Sequence, residues 1–301
     1  MIMCLIGIPC YNGWYRVDWL LQSIFIKSSD KDKEILKDCK IVVCDDSGRE
    51  DHRNKVRSVV HKWKNDIPVE LIINENNVGV PSSWNRLVKS GDSQYVILIN
   101  DDIIVSKDWL TNIVYFLDNN PMAGGVSPFC NVINESDVQE LLSSPDVVVK
   151  PRNPDTRKQT DDFDPTYSQI SLPQRCMAAL GCLFGFRRDM WNMVGGFDEH
   201  MFAFCDESDF GTALAQHGYP SYVIGCPRCW HIWSATFGSA PEINTSNVFA
   251  NSSRYYTQKW NGFFEVTHPR FMSKIPFMKV KWLCKGKEHE AIVESEYGYR
   301  V

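Results

Sequence analysis

The chain reads as an α/β protein, a Rossmann-like, mostly parallel central sheet flanked by helices and followed by a C-terminal extension. Three observations carry this expectation. Apolar runs rich in β-branched residues at 4–8, 40–44, 69–73 and 95–99 read as strands buried on both faces. Stretches with helical spacing separate them, at 14–26, 53–64 and 82–89, and strands alternating with helices at that rhythm imply βαβ units. Three of the strands also run straight into polar residues, Tyr11-Asn12, Asp45-Asp46 and Asn100-Asp101-Asp102, which a parallel sheet gathers at one edge.

The first strand stops at Pro9, which has no N–H to give a ladder. In the helix after it, Val17, Leu20, Leu21, Ile24 and Phe25 recur at helical spacing. The strand at 40–44 repeats the device, ending in two acids and a glycine turn. The rest of the chain is organised around Tyr95-Val-Ile-Leu-Ile-Asn-Asp-Asp, a doubly buried strand that ends in adjacent carboxylates. Unpaired carboxylates are costly there, and a bound divalent cation would keep both ionised. Asp102, aided by Asn100, is the expected metal ligand, with a surface turn bearing two solvated acids as the alternative. Neither Gly-x-Gly-x-x-Gly nor a Walker-type loop occurs, so a metal and not a glycine loop would hold phosphates.

Residues 131–174 are less regular and bring Lys150, Arg152, Arg157 and Lys158 close together, a long surface excursion that reads either as a lid or acceptor loop or as a plain insertion. Apolar structure resumes at 176–186. Asp206, Glu207 and Asp209 then open a helix whose Phe210, Ala213 and Leu214 face inward. Stabilisation by the helix N-terminus accounts for one or two of these acids. A general base that takes a proton from an attacking hydroxyl is the functional reading. Cys226, Cys229 and His231 have no second ligand pair nearby, so a structural zinc is not expected, whereas His231 could complete the coordination of a metal held by a strand-end acid.

With 301 residues, the chain suits one large domain plus an appendage. A net charge of −5 gives no general affinity for nucleic acid. Between 254 and 287, however, eight Lys and Arg residues stand against Glu265 alone, with Trp260, Phe263, Phe264, Phe271, Phe277 and Trp282 interleaved. That arm fits a membrane surface, a phosphate backbone, or simple packing against an acidic domain. Eleven scattered cysteines, an odd number and several inside apolar runs, favour reduced thiols and a cytoplasmic location. The sequons at Asn134, Asn244 and Asn251 are then chance matches. No secretory leader or membrane-length apolar run is evident.

Seven pieces now stand in order: Ile8-Pro-Cys-Tyr-Asn12, Val42-Val-Cys-Asp-Asp-Ser47, Asn76-Asn-Val-Gly79 with Asn85-Arg86, Asn100-Asp-Asp102, Gly195-Gly-Phe-Asp-Glu199, Asp206-Glu-Ser-Asp209 with Gly218-Tyr-Pro220, and Trp230-His231. Together they resemble the nucleotide-sugar-dependent glycosyltransferases of family two, with the GT-A fold, over roughly residues 3–262. The resemblance implies a GT-A domain at 1–262, with a nucleotide-binding half at 1–105 and an acceptor and catalytic half at 106–262, and a basic extension at 263–301.

It further implies that Pro9, Tyr11, Asn12 and Asp45 or Asp46 surround the nucleotide with Asn77, Asn85, Asn100 and Asp101. Asp102 and His231 would ligate Mn2+ or Mg2+, Gly181 and Asp209 would meet the acceptor, and Glu207 would be the base of an inverting transfer from a donor that is UDP-linked by default. The family's Glu-Asp-x-Asp order is exchanged here to Asp206-Glu207, which keeps Asp206 as a substitute base. Partial burial beside Phe204 and Phe210 is expected to raise the base's pKa. The implied acceptor is a glycan, a lipid-linked sugar or a hydroxylated nucleic-acid base. A glycoside hydrolase with paired carboxylates and an inactive nucleotide-sugar-binding relative are the competing readings.

Overall fold

The computed structural model describes residues 2–153, 172–232, 235, 242–261, 269–294 and 296. Arg157, Lys158, Phe263, Phe264 and Glu265 lie outside the described residues. In chain order the elements of the first half are β1 (Ile2–Cys10), α1 (Trp14–Lys27), α2 (Asp30–Leu36), β2 (Cys39–Asp45), α3 (Glu50–Trp63), β3 (Val69–Ile73), α4 (Val80–Lys89) and β4 (Ser93–Ile99). The second half adds β5 (Ile103–Ile104), α5 (Trp109–Asn119), β6 (Gly125–Ile133), α6 (Val138–Leu141), β7 (Gln174–Cys176), β8 (Leu183–Arg187), α7 (Arg188–Val194), α8 (Asp206–Gln216) and β9 (Ser221–Ile232). The chain continues through α9 (Thr245–Trp260), β10 (Lys279–Cys284) and β11 (Lys287–Ile292).

One sheet runs in the order β3-β2-β1-β4-β8-β6-β9-β5, with β7 added on β9. The βαβ half is parallel throughout, β1 pairing with β2 and β4, and β2 with β3. The sequence reading missed β8, which runs antiparallel between β4 and β6. The parallel strands are buried on both faces for a reason visible in their alternation. Ile6, Ile8, Ile41, Val43, Ile97 and Ile99 face one core with Val17, Val56 and Ile113 from α1, α3 and α5. Leu5, Val42, Val96 and Leu98 face the other with Trp84, Leu87, Phe210 and Leu214 from α4 and α8. At Gly7 a Cβ would sit 2.9 Å from Leu98 and 3.1 Å from Leu87, so glycine lets α4 approach β1.

One expectation needs correcting. The excursion expected from 131 begins as core: β6 runs to Ile133, and Val138, Leu141 and Leu142 pack with Trp230 and Ile232. The apolar spacing in this stretch spans a single helical turn, too short to stand out as a pattern. Of the readings offered for the C-terminal arm, its described residues fit packing against the domain. Val280, Trp282 and Cys284 pack into the main core, and Asn120 exchanges hydrogen bonds with Lys281, donating to its carbonyl (2.7 Å) and accepting from its amide (2.9 Å). Lys259 and Lys279 are paired with Asp198, Asp209 and Glu290. All eleven cysteines are free, and among the described residues no helix is long and apolar enough to cross a membrane.

Trp84 is buried edge-on against Phe184 and Phe197, at 5.4 and 5.0 Å between ring centroids. Trp84→Ala is expected to cost about 3–5 kcal/mol in urea unfolding; a loss below about 1 kcal/mol would mean that α4 is not anchored by this ring.

Candidate active site

The carboxyl ends of β1, β2 and β3 lie side by side, with Asp46 N donating to Cys10 O and Asn74 N to Asp45 O, each at 2.9 Å. The two acids at the end of β2 do different work. Asp46 accepts from Asn74 Nδ2 (2.7 Å), Val78 N (2.9 Å) and Gly79 N (3.1 Å), so it braces the turn into α4. Burial raises its pKa against those bonds. Asp45 Oδ1 accepts from His52 Nδ1 (2.9 Å) and Ser47 N (3.2 Å), while its Oδ2 is buried with no partner. Burial opposes ionisation of Asp45, but the bonds from His52 and Ser47 prevail and hold its pKa below the ordinary value.

Asn77 Oδ1 accepts from Gly79 N at 3.1 Å, and Gly79 itself has φ +84° and no room for a side chain against the Phe202 carbonyl. Pro9 does not end β1 as expected: it lies opposite Cys44, and the ladder continues to Cys10 opposite Asp45. Tyr11 Oη (2.6 Å) and Asn12 Nδ2 (3.1 Å) both donate to Glu242 Oε1, and Asn12 Oδ1 is buried without a partner. Asn85 is a correction. Its Nδ2 donates to Phe197 O and Glu199 Oε1, and its Oδ1 accepts from Phe197 N and Trp191 Nε1, which commits it to the turn at 195–199.

At the end of β4, Asn100 N donates to Cys182 O at 2.9 Å. Asp101 is a second correction, because it is buried and paired with the buried Arg16 guanidinium at 3.4 Å. Burial pushes its pKa up to about 6, with Arg16 opposing and Asp102 adding to the rise. Gly13 gives it space, since a Cβ there would overlap Asp101 Oδ2. Asp102 is 4% exposed and presents a buried Oδ1 with no hydrogen-bond donor. Pairing of β5 with β9 sets Ile103 opposite His231, and Ile232 N donates to Asp102 O at 2.9 Å. The result is His231 Nε2 at 3.4 Å from Asp102 Oδ1, although 129 residues separate the two in sequence. Among the described residues no group of three or more His, Cys, Asp or Glu side chains is placed to hold a metal alone. An unsatisfied carboxylate oxygen beside an imidazole nitrogen is nevertheless a donor pair that suits Mn2+ or Mg2+, with remaining positions left to ligand oxygens.

The acids Asp206, Glu207 and Asp209 sit at the start of α8 behind two non-glycine residues in left-handed conformation, Phe204 (φ 66°) and Cys205 (φ 59°). Such residues cost about 1–2 kcal/mol each, and α9 holds them. Ser252 Oγ donates to Ala203 O (2.6 Å), Phe249 packs on Phe204 (5.6 Å), and Ser253 Oγ contacts Cys205 Sγ (3.7 Å). Asp209 is a third correction: Lys259 Nζ and Trp260 Nε1 take its two oxygens, each at 2.8 Å.

Asp206 is buried, and that burial, reinforced by the neighbouring Glu207, drives its pKa well above 3.8. Glu207 is half-buried and lies against Gly181, where a Cβ would stand 3.1 Å from its Cγ and Cδ. Since the next residue, Cys182, accepts from Asn100 N, the 181–182 segment links the end of β4 to the start of α8 at Glu207. His52, Arg16, Glu242 and Lys259 were missed by the sequence reading, because single polar residues in helices and loops carry no periodic signal.

A buried acid with a raised pKa weakens the fold as pH rises, because above pH 3.8 the unfolded chain loses a proton that the folded chain keeps. Wild type should therefore lose stability relative to Asp206→Asn as pH increases from 4, at up to about 1.4 kcal/mol per pH unit. Parallel stability curves for the two proteins would rule this out.

Residues 5–190 match the profile described as glycosyl transferase family 2. No curated protein matches the chain. Among solved structures, the mannosyltransferase PcManGT from Pyrobaculum calidifontis, in complex with GDP-Man and Mn2+, is similar with TM-score 0.56 at 17% identity, over 86% of this chain and 63% of that one. GalNAc-T7 with UDP, GalNAc and Mn2+ gives 0.58 at 17% identity, over 77% of this chain and 44% of that one. TarS 1–349 of S. aureus gives 0.54 at 13% identity, over 89% and 74%. The chain thus spans less than two thirds of the length of the first two. At these identities the likeness is one of fold, the GT-A fold.

Proposed function

The chain belongs to glycosyl transferase family 2, and on that premise we propose that it is an inverting transferase moving a sugar from a UDP-type donor to an acceptor hydroxyl. The observation that carries the reading is the 181–182 segment, bonded to the Asn100–Asp102 strand end on one side and packed on Glu207 on the other. A donor and an acceptor need such opposed groups across one crevice. Family membership also removes the glycoside hydrolase reading.

Asp102 and His231 would hold a divalent cation, and the Mn2+ in the PcManGT and GalNAc-T7 complexes supports that assignment. When bound, such a cation supplies Lewis-acid stabilisation of a departing diphosphate. Asp45 presents an ionised, unpartnered oxygen that accepts an N–H from the base, with Pro9, Tyr11, Asn12 and Asn77 forming the surrounding wall. Asp46, Asn85 and Asp101 support that wall from behind.

Glu207 takes the proton of the acceptor hydroxyl as its oxygen attacks the anomeric carbon opposite the leaving group, so one displacement inverts the centre. Burial, reinforced by Glu207, raises the Asp206 pKa well above the ordinary carboxylate value, which favours Glu207 over Asp206 as the base. Gly181 leaves room at Glu207 for the acceptor. The free cysteines accord with a cytoplasmic location. The acceptor is a hydroxyl-bearing glycan, lipid-linked sugar or modified base.

Glu207→Gln should lower turnover of UDP-sugars by about 10²- to 10⁴-fold with UDP binding intact, while Asp206→Asn keeps most activity. Equal loss in the two variants would reverse the assignment of the base. In calorimetry, Asp102→Ala should abolish the Mn2+-dependent gain in UDP affinity, and a gain that persists would remove Asp102 from the metal site.

A further inference from the structure

We infer that His52 is a positioning residue that sets nucleobase selectivity by fixing the carboxylate of Asp45; this rests on the reading of Asp45 as the acceptor for the base. His52, on α3, is only 2% exposed. Its Nδ1 lies 2.9 Å from Asp45 Oδ1, and its Nε2 lies 3.2 Å from the amide nitrogen of Trp14. An amide can only donate, so Nε2 carries the lone pair and Nδ1 carries the hydrogen. Chemistry on both sides therefore selects one neutral tautomer, which donates to Asp45.

The Trp14 contact explains why this ring is needed. Trp14 opens α1, where the first backbone amides have no partner within the helix. The residue before it, Gly13, has no side chain to cap them. It cannot be a serine or aspartate either, because a Cβ there would overlap Asp101 Oδ2. His52 supplies the missing acceptor from α3. One ring thus ties the turn carrying Tyr11 and Asn12 to the end of β2 carrying Asp45.

The consequence for selectivity is directional. With Oδ1 held by His52 and Ser47, the remaining oxygen, Oδ2, is a fixed acceptor. A base with a ring N–H at that point, the imide of uracil or thymine or the lactam of guanine, satisfies it. Cytosine N3 and adenine N1 put a lone pair at the same ring position, which is repelled, and leave only an exocyclic amine to donate. Released from His52, the carboxylate can rotate to meet either edge through water, so discrimination falls more than affinity.

The test is calorimetric titration of the full chain with UDP and with CDP, each with Mn2+, in wild type, His52→Asn and His52→Gln. Asparagine keeps an N–H at the Nδ1 position facing Asp45; glutamine reaches the Trp14 amide with its carbonyl and leaves Asp45 unheld. The UDP-to-CDP affinity ratio is expected to fall about tenfold or more in His52→Gln, the scale of one lost charge-assisted bond, and to stay within about threefold of wild type in His52→Asn. A ratio that survives in His52→Gln, or that falls equally in both variants, overturns the proposal. Equal binding of UDP and CDP by wild type would instead sink the underlying reading of Asp45. Should His52→Gln fail to fold, ¹⁵N spectra of the wild-type imidazole decide: a protonated Nδ1 with an unprotonated Nε2 supports the proposal, and the opposite tautomer ends it.

Discussion

Buried carboxylates are the constraint on which the rest of this structure depends. Asp45, Asp46, Asp101, Asp102, Asp206 and Asp209 are all nearly inaccessible to solvent, and each would cost several kcal/mol if left ionised and alone. The fold answers them one at a time. Asp46 is met by the amides of Val78 and Gly79, one oxygen of Asp101 by Arg16, Asp209 by Lys259 and Trp260, and Asp206 by a pKa that burial raises. Single oxygens of Asp45, Asp101 and Asp102 are left without a hydrogen-bond partner at the carboxyl edge of the sheet, where ligands of open α/β folds bind.

The second half of the chain serves that edge by reaching back to it. β9 delivers His231 to Asp102, because β5 is only two residues long and pairs with the end of β9. α9 locks the left-handed residues before α8, and through Lys259 it bridges Asp198 and Asp209. Strain of this kind persists only where surrounding contacts over-determine it. The aromatic cluster of Trp84, Phe184, Phe197 and Phe210 lies beneath the same loop. Glu207 therefore projects from a backbone that packing has fixed, which is what the proposed proton transfer would require.

A large part of this was legible in the residues. Apart from the short α2 (Asp30–Leu36), which the apolar period did not reveal, the strands and helices of the first half fall where that period puts them, because a doubly buried strand and a one-sided helix leave distinct patterns. The gathering of Tyr11, Asp45 and Asp102 at one edge follows from parallel pairing alone. The antiparallel β8, the helical turn at 138–141 and the packed C-terminal hairpin were not legible. Each is short, and each is held by partners far away in sequence, such as Asn120 on Lys281.

The amino-acid sequence by itself determined the fold class, the family and the edge where chemistry occurs, since those depend on local period, composition and ordered motifs. Only the tertiary structure decided which carboxylate oxygens the protein itself satisfies and which it leaves without a partner. Asp45 and Asp46, like Asp101 and Asp102, are equivalent as adjacent letters. They differ because His52, Arg16, Val78 and His231 arrive from other elements to pair with particular oxygens, and the direction of a side chain is set by the partners that folding brings to it.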